Sequence, residues 1–190
     1  MFRWLCLLLL VCANAHAAPA VEVAASGTPH GLAEQLREAR QDVTDRTQEL
    51  VSIAMGFVGV PYRRGGSSAE RGFDCSGLVR TAYERAMGLV LPRRAKDQAQ
   101  ATEVIDKNDL QPGDLVFFNT MRRAFSHVGI YLGDGKFIHS PRTGERVRIE
   151  DMQAAYWKRR FNGARRVSTD DDAAGSAPAA AAANAEDAAR

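Results

Sequence analysis

The chain lacks an apolar run long enough to cross a bilayer. Its longest candidate, Trp4-Leu5-Cys6-Leu7-Leu8-Leu9-Leu10-Val11-Cys12, is followed at once by Asn14 and His16. That falls well short of the roughly 20 residues a span needs. Charge of one sign is also missing: 25 Lys and Arg against 23 Asp and Glu leave +2 at neutral pH. Such a balance gives no footing to nucleic acid or a membrane surface as partner. There is no internal repeat, and the stretch before Leu50 is too short for a separate binding module. Cysteine is scarce, at three residues with no Cys-x-x-Cys pair. At 190 residues, 45% hydrophobic and 25% charged, what remains suits one globular domain with short appendages.

The amino terminus has the parts of an export signal. Arg3 supplies a positive start, the apolar run follows, and Ala15-His16-Ala17 has the small-x-small form of a cleavage site. Residues 1–17 are therefore expected to be a signal peptide, removed on export to the periplasm or the medium, with no stable membrane anchor. A lipoprotein acylated at Cys12 ranks lower, because Val11 is bulkier than the residue such a site takes. Cleavage removes Cys6 and Cys12 and leaves Cys75 as the one thiol of the mature chain. An unpaired cysteine in an oxidising compartment cannot be an internal staple. It is a buried small hydrophobe, an intermolecular link or a reactive group.

Residues 18–47 read as a linker, rich in Ala, Pro, Gly and Ser up to Gly31, followed by a sparse lead-in helix with Leu32, Leu36 and Val43 on its stripe. The pattern thickens at Leu50, Val51, Ala54 and Met55, the expected first core helix. A second helix is predicted from Asp74-Cys75 through Leu78, Val79, Ala82, Tyr83, Ala86 and Met87 to Gly88 as its stop, and a short third over 95–101. Beyond Leu110 the period changes to two, which predicts strands at 115–119, 126–132, 137–140, 146–149 and 160–167. Helices followed by antiparallel strands make an α+β pattern. Residues 168–190 turn to Asp and then mostly Ala with no apolar face, and are expected to be a disordered tail.

Two regions carry chemistry. Asp74 is a good N-cap, which sets Cys75 in the first turn of its helix, where free N–H groups and the helix dipole favour a thiolate. The same N–H groups suit an oxyanion. The competing reading is a small hydrophobe at a helix start. His127 and His139 lie on consecutive strands around Gly133-Asp134-Gly135. A loop centred on Asp134 pairs 132 with 136, 130 with 138 and 129 with 139, so that His139 faces Gly129 and lies diagonal to His127 on one face. A two-residue loop at Asp134-Gly135 would instead put the histidines on opposite faces. One thiol at a helix start with two histidines on one face fits nucleophile, base and orienting group. Three scattered ligands without a Cys-x-x-Cys pair fit zinc poorly, and no metal or cofactor is expected.

Val60-Pro61-Tyr62-Arg63-Arg64-Gly65-Gly66, Phe73-Asp74-Cys75-Ser76-Gly77-Leu78-Val79 and Leu110-Gln111-Pro112-Gly113-Asp114-Leu115-Val116-Phe117-Phe118 stand in that order. After them come His127-Val128-Gly129-Ile130-Tyr131-Leu132-Gly133, Phe137-Ile138-His139-Ser140 and Tyr156-Trp157-Lys158-Arg159-Arg160-Phe161. Together they resemble the NlpC/p-sixty family of cell-wall cysteine peptidases over residues 48–167. The last segment is similar to the single-domain periplasmic murein endopeptidases of Gram-negative bacteria. The resemblance implies a papain-like α+β domain, N-terminal helices packed on an antiparallel sheet of about five strands. It makes Cys75 the nucleophile, His127 the general base and His139 the orienting residue. Tyr62 matches a tyrosine beside the nucleophile, and Ser76 a residue lining the substrate groove.

By the same resemblance the substrate is the stem or cross-link peptide of peptidoglycan, hydrolysed by a monomer through an acyl-enzyme without a cofactor. An amidase or acyltransferase on the same scaffold and a non-catalytic wall-binding protein are the alternatives. The chain departs from the family at Ala101-Thr102, where many members carry glycine, and in the basic loop from Asn119 to Phe125. Arginines 63, 64, 93, 94, 122 and 123 either draw in acidic stem peptides or form a solvated basic face.

Overall fold

The computed structural model describes residues 29–120 and 122–168. The expected signal peptide, most of the linker and the tail after Ser168 lie outside the described residues. Chain contacts divide at Arg37 and Glu38 into two units. Of the first, only the opening of α1 is described.

α1 runs without a break over Pro29–Gly56, so the expected lead-in and core helices are one, and residues 29–31 are helix rather than linker. Its sparse apolar positions Leu36 and Val43 stay exposed, whereas Leu50 and Ala54 are completely buried. The thickened part of the stripe is thus the part that packs. α2, Cys75–Met87, begins and ends as its residues dictate. Asp74 caps it by accepting from the Gly77 N–H, and Gly88 closes it in the left-handed region at φ 69°. α3 spans Ala95–Gln100.

Six antiparallel strands form the main sheet in the order β3-β8-β4-β5-β6-β7. They are β3 Glu103–Ile105, β4 Leu115–Phe118, β5 His127–Gly133, β6 Lys136–His139, β7 Arg148–Asp151 and β8 Phe161–Arg166. β1 (Ser67–Ser68) and β2 (Gly72–Phe73) pair separately. The sequence shows no sign of the two-residue β1 and β2 or of β3, whose three residues at an edge, none of them buried, show no alternation. β7 starts two residues later than expected, because Arg146 bridges Pro61 instead. Residues on one face (Leu115, Phe117, Val128, Ile130, Ile138) join Leu78, Val79 and Ala82 of α2 in the main core. The opposite face carries Val116, Phe118 and Phe137, covered by Met152 and by Trp157 of α4, Ala155–Lys158.

The β5–β6 hairpin departs from expectation in its loop yet not in its outcome. Gly133 pairs with Lys136, so the loop is the two residues Asp134 and Gly135, both at positive φ (51° and 73°). Alone, that loop would turn the histidines apart. A register shift between Tyr131 and Gly133 leaves Leu132 as an extra residue in β5 and restores the pairing of Ile130 with Ile138. The bulge cancels the even loop.

Candidate active site

Cys75 reaches the site because α2 starts there, and close packing fixes that start. A Cβ on Gly77 would lie 2.0 Å from the Gly66 carbonyl oxygen, so only glycine lets the first turn of α2 press against the 65–66 loop. Asp74 ties the same loop down by accepting from the Gly65 N–H at 2.9 Å. Arg93 grips Asp74 with both guanidinium nitrogens, at 2.9 and 2.6 Å. Of the arginines expected either to attract acidic peptides or to lie solvated, Arg93 is therefore held in this pair, while Arg63, Arg64, Arg94, Arg122 and Arg123 are exposed.

The two histidines meet on the sheet face opposite α2. His127 Nε2 lies 2.7 Å from His139 Nδ1, and both side chains are buried. Their approach needs Gly129 between them. A Cβ there would meet the Phe137 ring at 2.7 Å and His139 Cβ at 3.3 Å. Trp157 stacks on His127 at 5.7 Å and meets His139 edge-on at 5.0 Å. With Nε2 engaged by His139, Nδ1 is the nitrogen His127 has left for chemistry.

Cys75, His127 and Tyr62 line one cleft of about 500 Å³, together with Glu150, Tyr156 and Trp157. Ser76 is placed otherwise. It is buried behind Cys75, where its hydroxyl accepts from Arg93 at 3.0 Å, and it is not on the cleft lining. Thr120, in the basic loop, does line the cleft. Thr102 instead caps the end of α3, donating to the Gln98 carbonyl at 2.7 Å.

Electrostatics correct one expectation. Burial, reinforced by the Asp74 carboxylate, pushes the Cys75 thiol up to about 11, against the backbone amides of Val128 and Ser76. Loss of solvation thus opposes the helix terminus, which by itself favours the thiolate. Burial and then His139 push His127 down to about 3, with Glu150 opposing. Both shifts favour the neutral forms, so moving one proton from sulfur to imidazole would create both charges together. Burial, then Cys75 and Asp74, raises the Tyr62 hydroxyl. Among the described residues, no three His, Cys, Asp or Glu side chains are grouped as a metal would require.

The family model described as "NlpC/P60 family" matches residues 59–166. The chain belongs to the NlpC/P60 family. It is 43% identical over 153 residues to the murein DD-endopeptidase MepH of Escherichia coli K12, covering 78% of this chain and 54% of that protein. It is 35% identical over 137 residues to a probable endopeptidase NlpC homolog of Haemophilus influenzae, covering 72% of each. Its fold matches the crystal structure of an NLP/P60 family protein of Staphylococcus aureus at a TM-score of 0.59 and 38% identity, over 65% of this chain and 42% of that one. The chain thus spans little more than half the length of its E. coli relative.

Two residues of this NlpC/P60 site had no role in the sequence reading. Trp157 stands only within a motif of the resemblance, and Glu150 falls just past the strand expected over 146–149. Glu150 accepts from Trp157 Nε1 and, at 2.5 Å, from Arg148 Nε. The available signal was the alternation of β7, which turns Arg148 and Glu150 to one face and Ile149 to the other.

Proposed function

We propose that the protein is an exported peptidoglycan endopeptidase that hydrolyses amide bonds of stem or cross-link peptides. The observation that carries this reading is the 2.7 Å contact between His127 and His139 behind a cleft that Cys75 also lines. Similarity to a murein DD-endopeptidase and to a probable endopeptidase supports it. Export rests on the expected signal peptide, and the periplasm is the compartment where such a substrate lies.

In this reading the Cys75 sulfur attacks the substrate carbonyl carbon as its proton passes to His127 Nδ1. The carbonyl oxygen becomes an oxyanion, for which the amides at the start of α2 are the nearest donors. Collapse breaks the C–N bond, and His127 returns the proton to the leaving amine. A thioester on Cys75 remains. Water adds to it with His127 again as base, releasing the carboxylate product and the free thiol. His139 holds His127, and the Tyr62 hydroxyl stands beside the nucleophile on the cleft wall. We assign Ser76 to the support of α2's first turn, through Arg93 and Asp74, rather than to contact with substrate. No cofactor enters the scheme.

The test is digestion of purified sacculi, with mass spectrometry of the released muropeptides. New amino and carboxyl ends within stem or cross-link peptides are expected, and their masses identify the bond. Products cut only in the glycan, or binding without any product, would overturn the proposal.

A further inference from the structure

Glu150 sits at the end of a line of polar side chains across three neighbouring strands. Ile138 pairs with Ile130 on one side and with Ile149 on the other. Continued, that register puts His127 diagonal to His139, and it puts Glu150 diagonal to His139 from the opposite strand, all on one sheet face. The contacts follow. His127 Nε2 is 2.7 Å from His139 Nδ1, and His139 Nε2 is 3.7 Å from Glu150 Oε1. The Nε2 atom of His139 is fully buried and has no hydrogen-bond partner at closer range.

From this line we infer that Glu150 is a positioning residue, whose carboxylate fixes the proton of His139 on Nε2 and thereby fixes the tautomer of His127. Glu150 already receives the Arg148 and Trp157 N–H groups, so it faces His139 as an acceptor. Its carboxyl is held down to about 2, first by His139 and then by Trp157 and Arg148, and it has no proton to offer. A bare Nε2 would point a buried lone pair at a carboxylate, whereas Nε2–H points a donor at it. A shift of about 1 Å closes that approach to a full hydrogen bond.

With its proton on Nε2, His139 has a bare Nδ1, which can only accept. His127 must then donate from Nε2, and its own Nδ1 is left unprotonated. The opposite arrangement would put a proton on His127 Nδ1 and disable the base. Trp157 serves the same end by clamping both the ring of His127 and the carboxylate. The inference rests on His127 being the base, but the tautomers can be read without any substrate.

Long-range 15N–1H NMR of the full, histidine-labelled protein at neutral pH is the experiment. His127 and His139 are both expected to carry a proton on Nε2 and none on Nδ1. A proton on Nδ1 of either overturns the inference. Glu150→Gln, which can present an NH2 in place of the acceptor, is expected to shift His139 toward the Nδ1–H form. It should lower kcat about tenfold to hundredfold, the range found when the carboxylate behind a metal-bound histidine is removed, with KM within about twofold. Unchanged tautomers with unchanged kcat in that variant overturn it, as does a loss confined to KM, which would make Glu150 a substrate contact. Correct tautomers in a protein that cuts no wall peptide would instead sink the proposed function alone.

Discussion

His127 and His139 meet nitrogen to nitrogen at 2.7 Å because one residue of β5, Leu132, bulges out of the ladder. The bulge offsets a two-residue loop that would otherwise send the second imidazole to the α2 face. The site thus depends on a backbone irregularity one turn of hairpin away from its chemistry.

Deleting Leu132 should leave a regular hairpin with Gly133 still opposite Lys136 and Ile130 still opposite Ile138. The variant is expected to fold, with some loss of stability from the missing side chain, and to keep a large share of its activity. A folded but inactive deletion variant would show that the bulge does more than correct the register.

Substitutions should rank by chemical role. Cys75→Ser is expected to abolish hydrolysis, since a hydroxyl ionises far less readily than a thiol. His127→Ala should be nearly as severe, because thiol and leaving amine both lose their proton partner. His139→Ala should leave measurable turnover, and His139→Asn or His139→Gln should recover part of the loss by accepting from His127 Nε2–H. Steady-state rates on muropeptides, with circular dichroism as a folding control, decide the order. If His139→Ala were inactive while His127→Ala retained turnover, base and orienting residue would be exchanged.

Burial pushes the Cys75 thiol up to about 11 and the His127 imidazole down to about 3, and both shifts oppose a resting ion pair. The rate of Cys75 alkylation by iodoacetamide should therefore keep rising from about pH 6 to pH 9, as the thiolate fraction grows. A rate already level across that range would mean a preformed thiolate–imidazolium pair.

Stability should fall on mild acidification, and the sign follows from proton counts. Below the ordinary histidine value of 6.5 the unfolded chain takes up protons that buried His127 and His139 refuse in the fold. The unfolded state then binds more protons, so stability declines as pH drops from 6.5 toward 3. Glu150, lowered from 4.5 to about 2, adds a loss in the same direction only below about 4.5. Urea midpoints should thus decrease already between pH 6.5 and 5, and His127→Gln should flatten that part of the curve. A midpoint constant down to pH 5 would mean that the imidazoles become charged within the fold.

Much of this site was legible in the sequence because its signals are local. Asp74 before Cys75 and Gly88 after Met87 bracket a helix by capping chemistry alone, and the alternation through Val128, Ile130 and Ile138 assigns the faces of β5 and β6. Other features depend on partners distant in the chain. The edge strand β3 exists because Val104 pairs with Arg165, and no periodicity in three residues announces that. The family resemblance makes Ser76 a groove residue, whereas its hydroxyl accepts from Arg93, a partner distant in the chain. The upward push on the Cys75 thiol comes from burial, which is a property of the whole fold rather than of the local sequence. Glu150 became visible only once the β6–β7 register was known.

The central claim, that Cys75 is the nucleophile, is tested most directly by intact-protein mass spectrometry of enzyme quenched during turnover of muropeptides. A mass increase equal to the acyl half of the substrate is predicted, mapped to Cys75, labile to hydroxylamine as a thioester, and absent from Cys75→Ser. Turnover by Cys75→Ser at the wild-type rate, or an adduct mapping to any other residue, would contradict the account.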